Sequence, residues 1–347
     1  MASTAATLKD VAHAAGVAVS TASRALAGNP VVSQETSDRV RQCAEQLNYR
    51  PNAQARALRS SRSNIIGVTI PSLVNPYFAE MAAVIQEEAN RAGISTIISS
   101  TSEDAERLID SLHILSDQRV DGIIAVPYNG TEDSLAALDA TGMPLVLVDR
   151  ELPGNKHLSV ASDSSAGLSS AVAHLLEKGN RRIGYLSGPM TTSTGVTRLE
   201  EFTAACHHFQ LPEQPIYQGG YHREDGYRGT EWLLSQNVDA IIAGDSMMTV
   251  GALEACHKKG IAIGHDVALI GFDDQPIMRL QACPITVIDQ QVATMGRLAF
   301  SLLHNLITDE GGSGKSPPSS IRTPTTLIIR ASSDFDRSST TDKEVRP

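Results

Sequence analysis

Gly16 separates two short amphipathic stretches, Thr7–Ala15 and Ala18–Leu26, and no other feature limits the possible folds of this chain as sharply. Thr7 and Asp10 have the spacing of a capping box, in which a hydroxyl and a carboxylate satisfy free N–H groups and start a helix. Val11, Ala12 and Ala15 give that helix a face of small residues, and Gly16 supplies the backbone freedom for a sharp turn. In the second stretch Ala22 and Leu26, four residues apart, share an inward face, while Val19, Ser20, Ser23 and Arg24 lie on the other. Two short helices about a Gly turn form a helix-turn-helix, whose second helix enters a DNA major groove. Periodicity alone fits an ordinary αα-hairpin as well.

A third helix is expected to begin at Ser33-Gln34-Glu35-Thr36, with Val40, Cys43, Ala44 and Leu47 on its apolar face. It ends at Asn48-Tyr49-Arg50-Pro51, because Pro51 disfavours a helical Arg50. Asn52 can then cap a very short helical run, Ala53 to Arg59. The pattern from T-L-K-D-V-A-x-x-A-G-V to L-N-Y-x-P-N-x-x-A-R-x-L resembles the DNA-binding headpiece and hinge of the LacI/GalR family of bacterial transcription regulators, without a gap through about fifty residues.

The resemblance implies that Val19, Ser20 and Arg24 read base edges. Arg24 could bond guanine bidentately and Val19 could touch a thymine methyl. It adds Thr7, Thr21, Ser23 and Asn29 to the DNA-contacting set, and Asn52, Ala55, Arg56 and Leu58 in the hinge. The segment Ala53–Leu58 is marginal as a helix alone, which suits a switch. Two hinges, one from each subunit, would pair in the minor groove with Leu58 wedged between base steps. The plainer alternatives are a solvated helix face and a Leu58 that packs on its own domain. Ala18 departs from the Ser often found at that N-cap, which weakens the helix start by roughly 1 kcal/mol.

The chain carries a net charge of −10, which by itself argues against nucleic acid. Residues 1–62, however, hold eight Lys and Arg against four acids, leaving 21 bases and 35 acids for the rest. A basic head on an acidic body fits a DNA binder with a separate sensing domain. Cys43, Cys206, Cys256 and Cys283 are far apart, with no ligand-spaced His, so neither a disulfide framework nor a zinc site is expected. His207 and His208 diverge on a helix and are read as surface. No basic n-region precedes an apolar run and no segment reaches 18 apolar residues, so a cytoplasmic bacterial protein is expected, with no membrane partner.

Beyond the polar linker Arg59–Ser63, apolar runs alternate with helical patterns. Strands are expected at Ile65–Ile70, Ser95–Ser99, Gly122–Val126 and Leu145–Val148, with helices between them. A second series starts after Val160, with strands at Arg182–Leu186, near Ile216, at Ala240–Ala243 and at Val267–Phe272. The fold class is therefore an all-α headpiece plus an α/β body of two doubly wound parallel sheets. The body resembles the periplasmic sugar-binding-protein fold that this family uses as a sensor. That likeness implies a headpiece at 1–50, a hinge and linker at 51–63, and an effector and dimerisation domain at 64–331. The domain would divide into 64–161 with 289–322 and 162–288 with 323–331, crossing near Ala161, Ile288 and Arg322. Residues 332–347 are polar and expected to be disordered.

Ligand sites in such sheets lie beyond the carboxyl ends of strands. Asn75-Pro76-Tyr77-Phe78 follows the first strand, Asp149-Arg150 the fourth and Asp273-Asp274 the one ending at Phe272. Arg198, Tyr221 and Gln290 fall in loops or at helix starts. Acids, Arg and amides bond ring hydroxyls in pairs, while aromatic faces cover a sugar's C–H side. By resemblance, Asn75, Tyr77, Phe78, Asp149, Arg150, Arg198, Tyr221, Asp273 and Gln290 match the ligand set of the ribose-binding branch. Singly, each carboxylate is as well read as a helix cap. Gly244 departs, standing where that branch usually has Asn, so one polar contact is missing or water-filled.

A glycosidase pair is disfavoured because Arg150 beside Asp149 would hold it ionised. A nucleotide site is disfavoured because Gly311-Gly312-Ser313-Gly314-Lys315-Ser316 lies in a late loop without the flanking strand and helix. The expected protein is a non-enzymatic, homodimeric repressor without cofactor or metal. It binds a pseudo-palindromic double-stranded operator and responds to a small-molecule effector, ribose or a related pentose or nucleoside. Alternatives are a purine- or phosphoprotein-corepressed regulator of the same family, or a cytoplasmic sugar-binding enzyme.

Overall fold

A computed structural model describes residues 6–49, 62–128, 132–152, 154–308 and 320–335. The chain divides into two compact units, Met1–Ser63 and Asn64–Pro347. In the first, α1 (Leu8–Ala14), α2 (Val19–Leu26) and α3 (Gln34–Gln46) surround a core of Val11, Ala12, Ala15, Ala22, Ala25, Val40 and Ala44. Thr7 and Asp10 form the capping box, with the Thr7 N–H donating to the Asp10 carboxylate at 2.7 Å. Gly16 takes φ +64°, the left-handed geometry the turn needs. Ala18 makes no side-chain cap, whereas the Ser33 hydroxyl accepts from Thr36 N. Leu47, expected inward, is instead exposed, since it is the C-cap of α3 and lies past the last inward-facing turn. The hinge run with Asn52, Ala55, Arg56 and Leu58 lies outside the described residues.

The second unit holds two six-stranded sheets. In chain order its elements are β1 (Ile65–Ile70), α4 (Pro76–Arg91), β2 (Ser95–Ser100), α5 (Ala105–Asp117), β3 (Gly122–Ala125), α6 (Glu132–Ala140), β4 (Leu145–Asp149) and β5 (Leu158–Asp163). There follow α7 (Ser165–Glu177), β6 (Ile183–Ser187), α8 (Ser193–His208), β7 (Ile216–Gln218), α9 (Arg223–Ser235), β8 (Ala240–Ala243), α10 (Ser246–Lys259), β9 (Ala268–Phe272) and α11 (Pro276–Arg279). The last elements are β10 (Thr286–Asp289), α12 (Val292–Thr308), β11 (Ser320–Pro324) and β12 (Thr326–Ile328).

The first sheet runs β11-β5-β4-β3-β1-β2, all parallel; the second runs β12-β10-β9-β8-β6-β7, parallel except for β12. Their inner strands are continuous apolar runs because helices cover both faces. In β1, Ile66, Val68 and Ile70 are buried against Tyr77, Phe78, Met81 and Met295 of α4 and α12. Strand order reverses between β1 and β3 and again between β6 and β8, which opens a crevice at their carboxyl ends.

Several expectations are corrected here. β5 and β11 are strands that the pattern missed; the chain leaves the first sheet after Asp163, close to Ala161, and makes its final crossing after Pro324, close to Arg322. β5 mixes Leu158, Val160 and Ala161 with polar residues and pairs with both β4 and β11, while β11 is an edge strand that ends in Pro. β12 is antiparallel, not parallel. Residues 332–335 are ordered rather than a tail. Ser332 accepts from Thr286 N (2.8 Å) and donates to Leu269 O (2.6 Å), and Phe335 packs on the core beneath α7. No helix among the described residues is long and apolar enough to cross a membrane.

Candidate functional site

On the head, Val19, Ser20 and Arg24 project from α2 into solvent, together with Thr7 and Asn29; Thr21 and Ser23 are half-buried. The Asn29 side-chain oxygen accepts from Val31 N at 3.0 Å and so shapes the turn after α2. Here the sheltered face of α2 is Ala22 and Ala25, and Leu26 is only partly covered.

In the second unit, eight of the nine expected ligand residues line one cleft. They are Tyr77, Phe78, Asp149, Arg150, Arg198, Tyr221, Asp273 and Gln290, joined by Thr194 and Asp245. Asn75 does not line it. Its side-chain oxygen caps α4 by accepting from Tyr77 N (3.0 Å), and it also accepts from Ser246 of the facing subdomain (3.4 Å). That bond holds the α4 start, and thus Tyr77 and Phe78, against α10. Asp274 also turns away, pairing with Arg330 at 2.7 Å.

The cavity residues interlock across the crevice. Arg198, on α8, donates to Gly244 O (2.8 Å) and Gln290 Oε1 (2.6 Å) while its guanidinium lies over the Phe272 ring at 4.6 Å. Gln290 donates to Asp273 Oδ1 (2.7 Å) and accepts from Ser162 Oγ (2.7 Å). Tyr77 donates to Asp149 Oδ1 at 2.8 Å. The Tyr221 hydroxyl is shared with Thr192 (3.0 Å) and Thr194 (2.8 Å). These bonds fix the directions of the groups that make them, which reduces the ordering cost of binding.

Burial dominates the titration of the acids. It pushes Asp273 up to about 7, against the pull of Arg198 and the Gln290 bond, with Asp245 and Asp149 adding to the rise. It pushes Asp245 up to about 6, despite Arg198 and the bonds this α10 cap accepts from Met247 N and Met248 N. Asp149 is likewise raised by burial, even though Arg150 and Arg198 lie nearby. Burial thus opposes the influence expected of Arg150 and raises the Asp149 carboxyl despite the neighbouring cation.

Gly244 also departs from expectation. A Cβ there would stand 2.7 Å from Leu186 O and 2.8 Å from the Tyr185 hydroxyl, so the missing side chain leaves no free polar space. Tyr185, stacked on Phe202 with ring centroids 4.4 Å apart, fills it. Sequence reasoning passed over Asp245 and Thr194. The Gly244-Asp245 pair after a strand was a usable signal for the first, but nothing local marks the second. Among the described residues no group of three or more His, Cys, Asp and Glu side chains could hold a metal ion.

Comparison with known proteins places these two units. Residues 7–52 match the family described as bacterial regulatory proteins, lacI family, and residues 172–333 match the periplasmic binding protein-like domain. The chain is 34% identical over 311 residues to the HTH-type transcriptional repressor PurR of Pasteurella multocida, covering 88% of this chain and 93% of that one. Among solved structures it is similar to a probable LacI family transcriptional regulator from Corynebacterium glutamicum, with 45% identity, a TM-score of 0.71, and coverage of 78% of this chain and 99% of that one. It is also similar to the lac repressor dimer bound to operator and the anti-inducer ONPF, with 26% identity, a TM-score of 0.84, and coverage of 95% and 99%. With head and cavity built as described and a relative matched along nearly its full length, the chain belongs to the LacI family of bacterial transcriptional regulators.

Proposed function

We propose that the chain is a non-enzymatic, effector-controlled transcriptional repressor whose cavity binds a pentose, ribose or a close relative, and whose operator affinity falls when it does. The observation that carries the effector class is the polar density of the cavity. Three buried carboxylates, two guanidiniums, an amide and two phenols line it. A ligand that satisfies them must offer a donor and an acceptor at nearly every position, as a polyhydroxylated ring does. Because the lining comes from both subdomains, ligand binding acts on the closure between them. A coupling of about 1–3 kcal/mol to operator binding then shifts affinity roughly 5–150-fold.

In this reading Val19, Ser20 and Arg24 read bases, with Thr7, Thr21, Ser23 and Asn29 beside them and Asn52, Ala55, Arg56 and Leu58 acting from the hinge. Two copies bind a pseudo-palindromic site. A homodimer is supported by the lac repressor dimer among the similar structures and by Leu73, Val74, Ile277 and Leu280, large apolar side chains left exposed just before Asn75 and just after Gln275.

A second reading, a purine that tightens operator binding, is favoured by the relatives named PurR and by the Phe78 and Tyr221 rings, which could flank a planar base. The test is operator binding titrated with ribose, uridine, hypoxanthine and guanine. Release by ribose supports the pentose reading. Tightening by a purine with no response to ribose selects the second. A response only to a partner protein refutes both.

A further inference from the structure

Arg150 is held in the cavity by a residue that the functional reading does not use. Its Nη1 and Nη2 donate to Oε2 and Oε1 of Glu103 at 2.6 and 2.7 Å, a parallel two-bond clamp. The Arg150 side chain is 3% exposed and that of Glu103 21%. Glu103 reaches it from the turn between β2 and α5, where Ser102 and Glu103 both take positive φ, 54° and 57°. Consecutive left-handed residues that are neither Gly nor Asn persist only where surrounding structure enforces them.

Here the enforcement is visible. Thr101 N and Ser102 N donate to Ile70 O (2.9 Å) and Pro71 O (2.8 Å), Arg107 donates to Ser102 Oγ (3.0 Å), and Asp104 caps α5. The turn therefore delivers one carboxylate to one guanidinium. That guanidinium lies 5.9 Å from the Phe78 ring centre and 5.4 Å from that of Tyr221. Phe78 belongs to the first subdomain and Tyr221 to the second, so the clamp fixes a cation that bridges the crevice.

The clamp also decides which donor Arg150 has left. Nε is buried and makes no hydrogen bond within the protein; Asp149 Oδ2 lies 3.7 Å from it, while Asp149 Oδ1 is taken by Tyr77. A ligand hydroxyl between them would accept from Nε–H and donate to Oδ2. A phosphate or carboxylate would find the end-on fork already held by Glu103, and at the Nε edge would meet the Asp149 carboxylate 3.7 Å away.

We propose that Glu103 is a positioning and selectivity residue of the effector cavity, which commits the fork of Arg150 internally and so admits neutral sugars while excluding their phosphate esters. This rests on the pentose reading above. The test uses the full chain, with binding of ribose and of ribose 5-phosphate followed by calorimetry or by fluorescence of Trp232, the single tryptophan, whose ring lies 6.0 Å from Tyr217 in the strand leading to Tyr221. Glu103→Ala and Glu103→Gln should weaken ribose binding by about tenfold or more and narrow the preference for ribose over its phosphate; Glu103→Asp should restore part of both. A ribose-to-phosphate preference unchanged within about twofold overturns the proposal.

If the parent chain ignores pentoses altogether, the pentose reading fails and the clamp is decided by ligand-free melting of Glu103→Gln, Arg150→Met and the double variant. A double variant that loses no more than the worse single shows that the two act as one unit. Additive losses overturn the clamp as well.

Discussion

Replacing Arg198 with Met keeps most of the side-chain stem and removes the guanidinium around which the cavity is wired. Gly244 O and one bond of Gln290 Oε1 lose their donors, and Asp245 and Asp273 lose the strongest single influence opposing their burial. Removing one partner of a buried charged network costs about 3–5 kcal/mol. At about 2–4 °C per kcal/mol for a domain of this order, the melting temperature at neutral pH should fall by roughly 6–20 °C. The pH dependence gives the sharper test. Asp273 and Asp245 titrate in the folded protein at about 7 and about 6, above the ordinary 3.8.

A raised carboxylate binds more protons folded than unfolded, so stability falls as pH rises from about 4 to about 7 and levels off above. Without Arg198 both values rise further, and the penalty is largest where the acids must ionise. The gap between parent and Arg198→Met should therefore be widest near pH 8 and shrink towards pH 5. Melting curves across that range measure it. A gap below about 3 °C at pH 8, or one that widens on acidification, would falsify the assignment of Arg198 as the counterion of this cluster.

Three further outcomes are expected. Asp273→Asn, which keeps a residue tolerant of the observed φ of 65°, should flatten the upper part of the stability slope between about pH 4 and 7; a slope identical to the parent's assigns the titration elsewhere. Gly244→Asn should cost about 1–3 kcal/mol by overpacking against Leu186 O and the Tyr185 hydroxyl. That loss should be partly relieved in a Tyr185→Phe background, and chemical denaturation of the four variants in the cycle reads it directly. Arg24→Ala should cost about 1–3 kcal/mol of operator binding and relax specificity at one base position; a uniform loss across operator variants, seen by mobility shift, would make Arg24 a phosphate contact.

The head was readable from local pattern because its determinants are local. A capping box three residues wide, a Gly at φ +64° and small residues at helical spacing produce the same three helices whatever follows them. The long apolar runs of the inner strands were equally readable, since burial on both faces leaves no other place for them. The cavity residues that follow strands were legible because strand ends in a doubly wound sheet converge, whereas Arg198, inside α8, was legible only through the family resemblance.

The remainder depends on contacts between residues far apart in sequence. β5 and β11 pair across about 160 positions, and the edge strand β11 does not declare itself before its partner is present. Asn75 caps its helix through a local bond to Tyr77 N, and only the fold brings Ser246, from the other subdomain, to the same oxygen. Tyr185 fills the place beside Gly244, and Glu103 holds Arg150 from 47 residues away. The upward shift of the Asp149 carboxyl has the same origin. Its neighbour in sequence supplies a nearby cation, but the desolvation that outweighs it comes from packing two subdomains together.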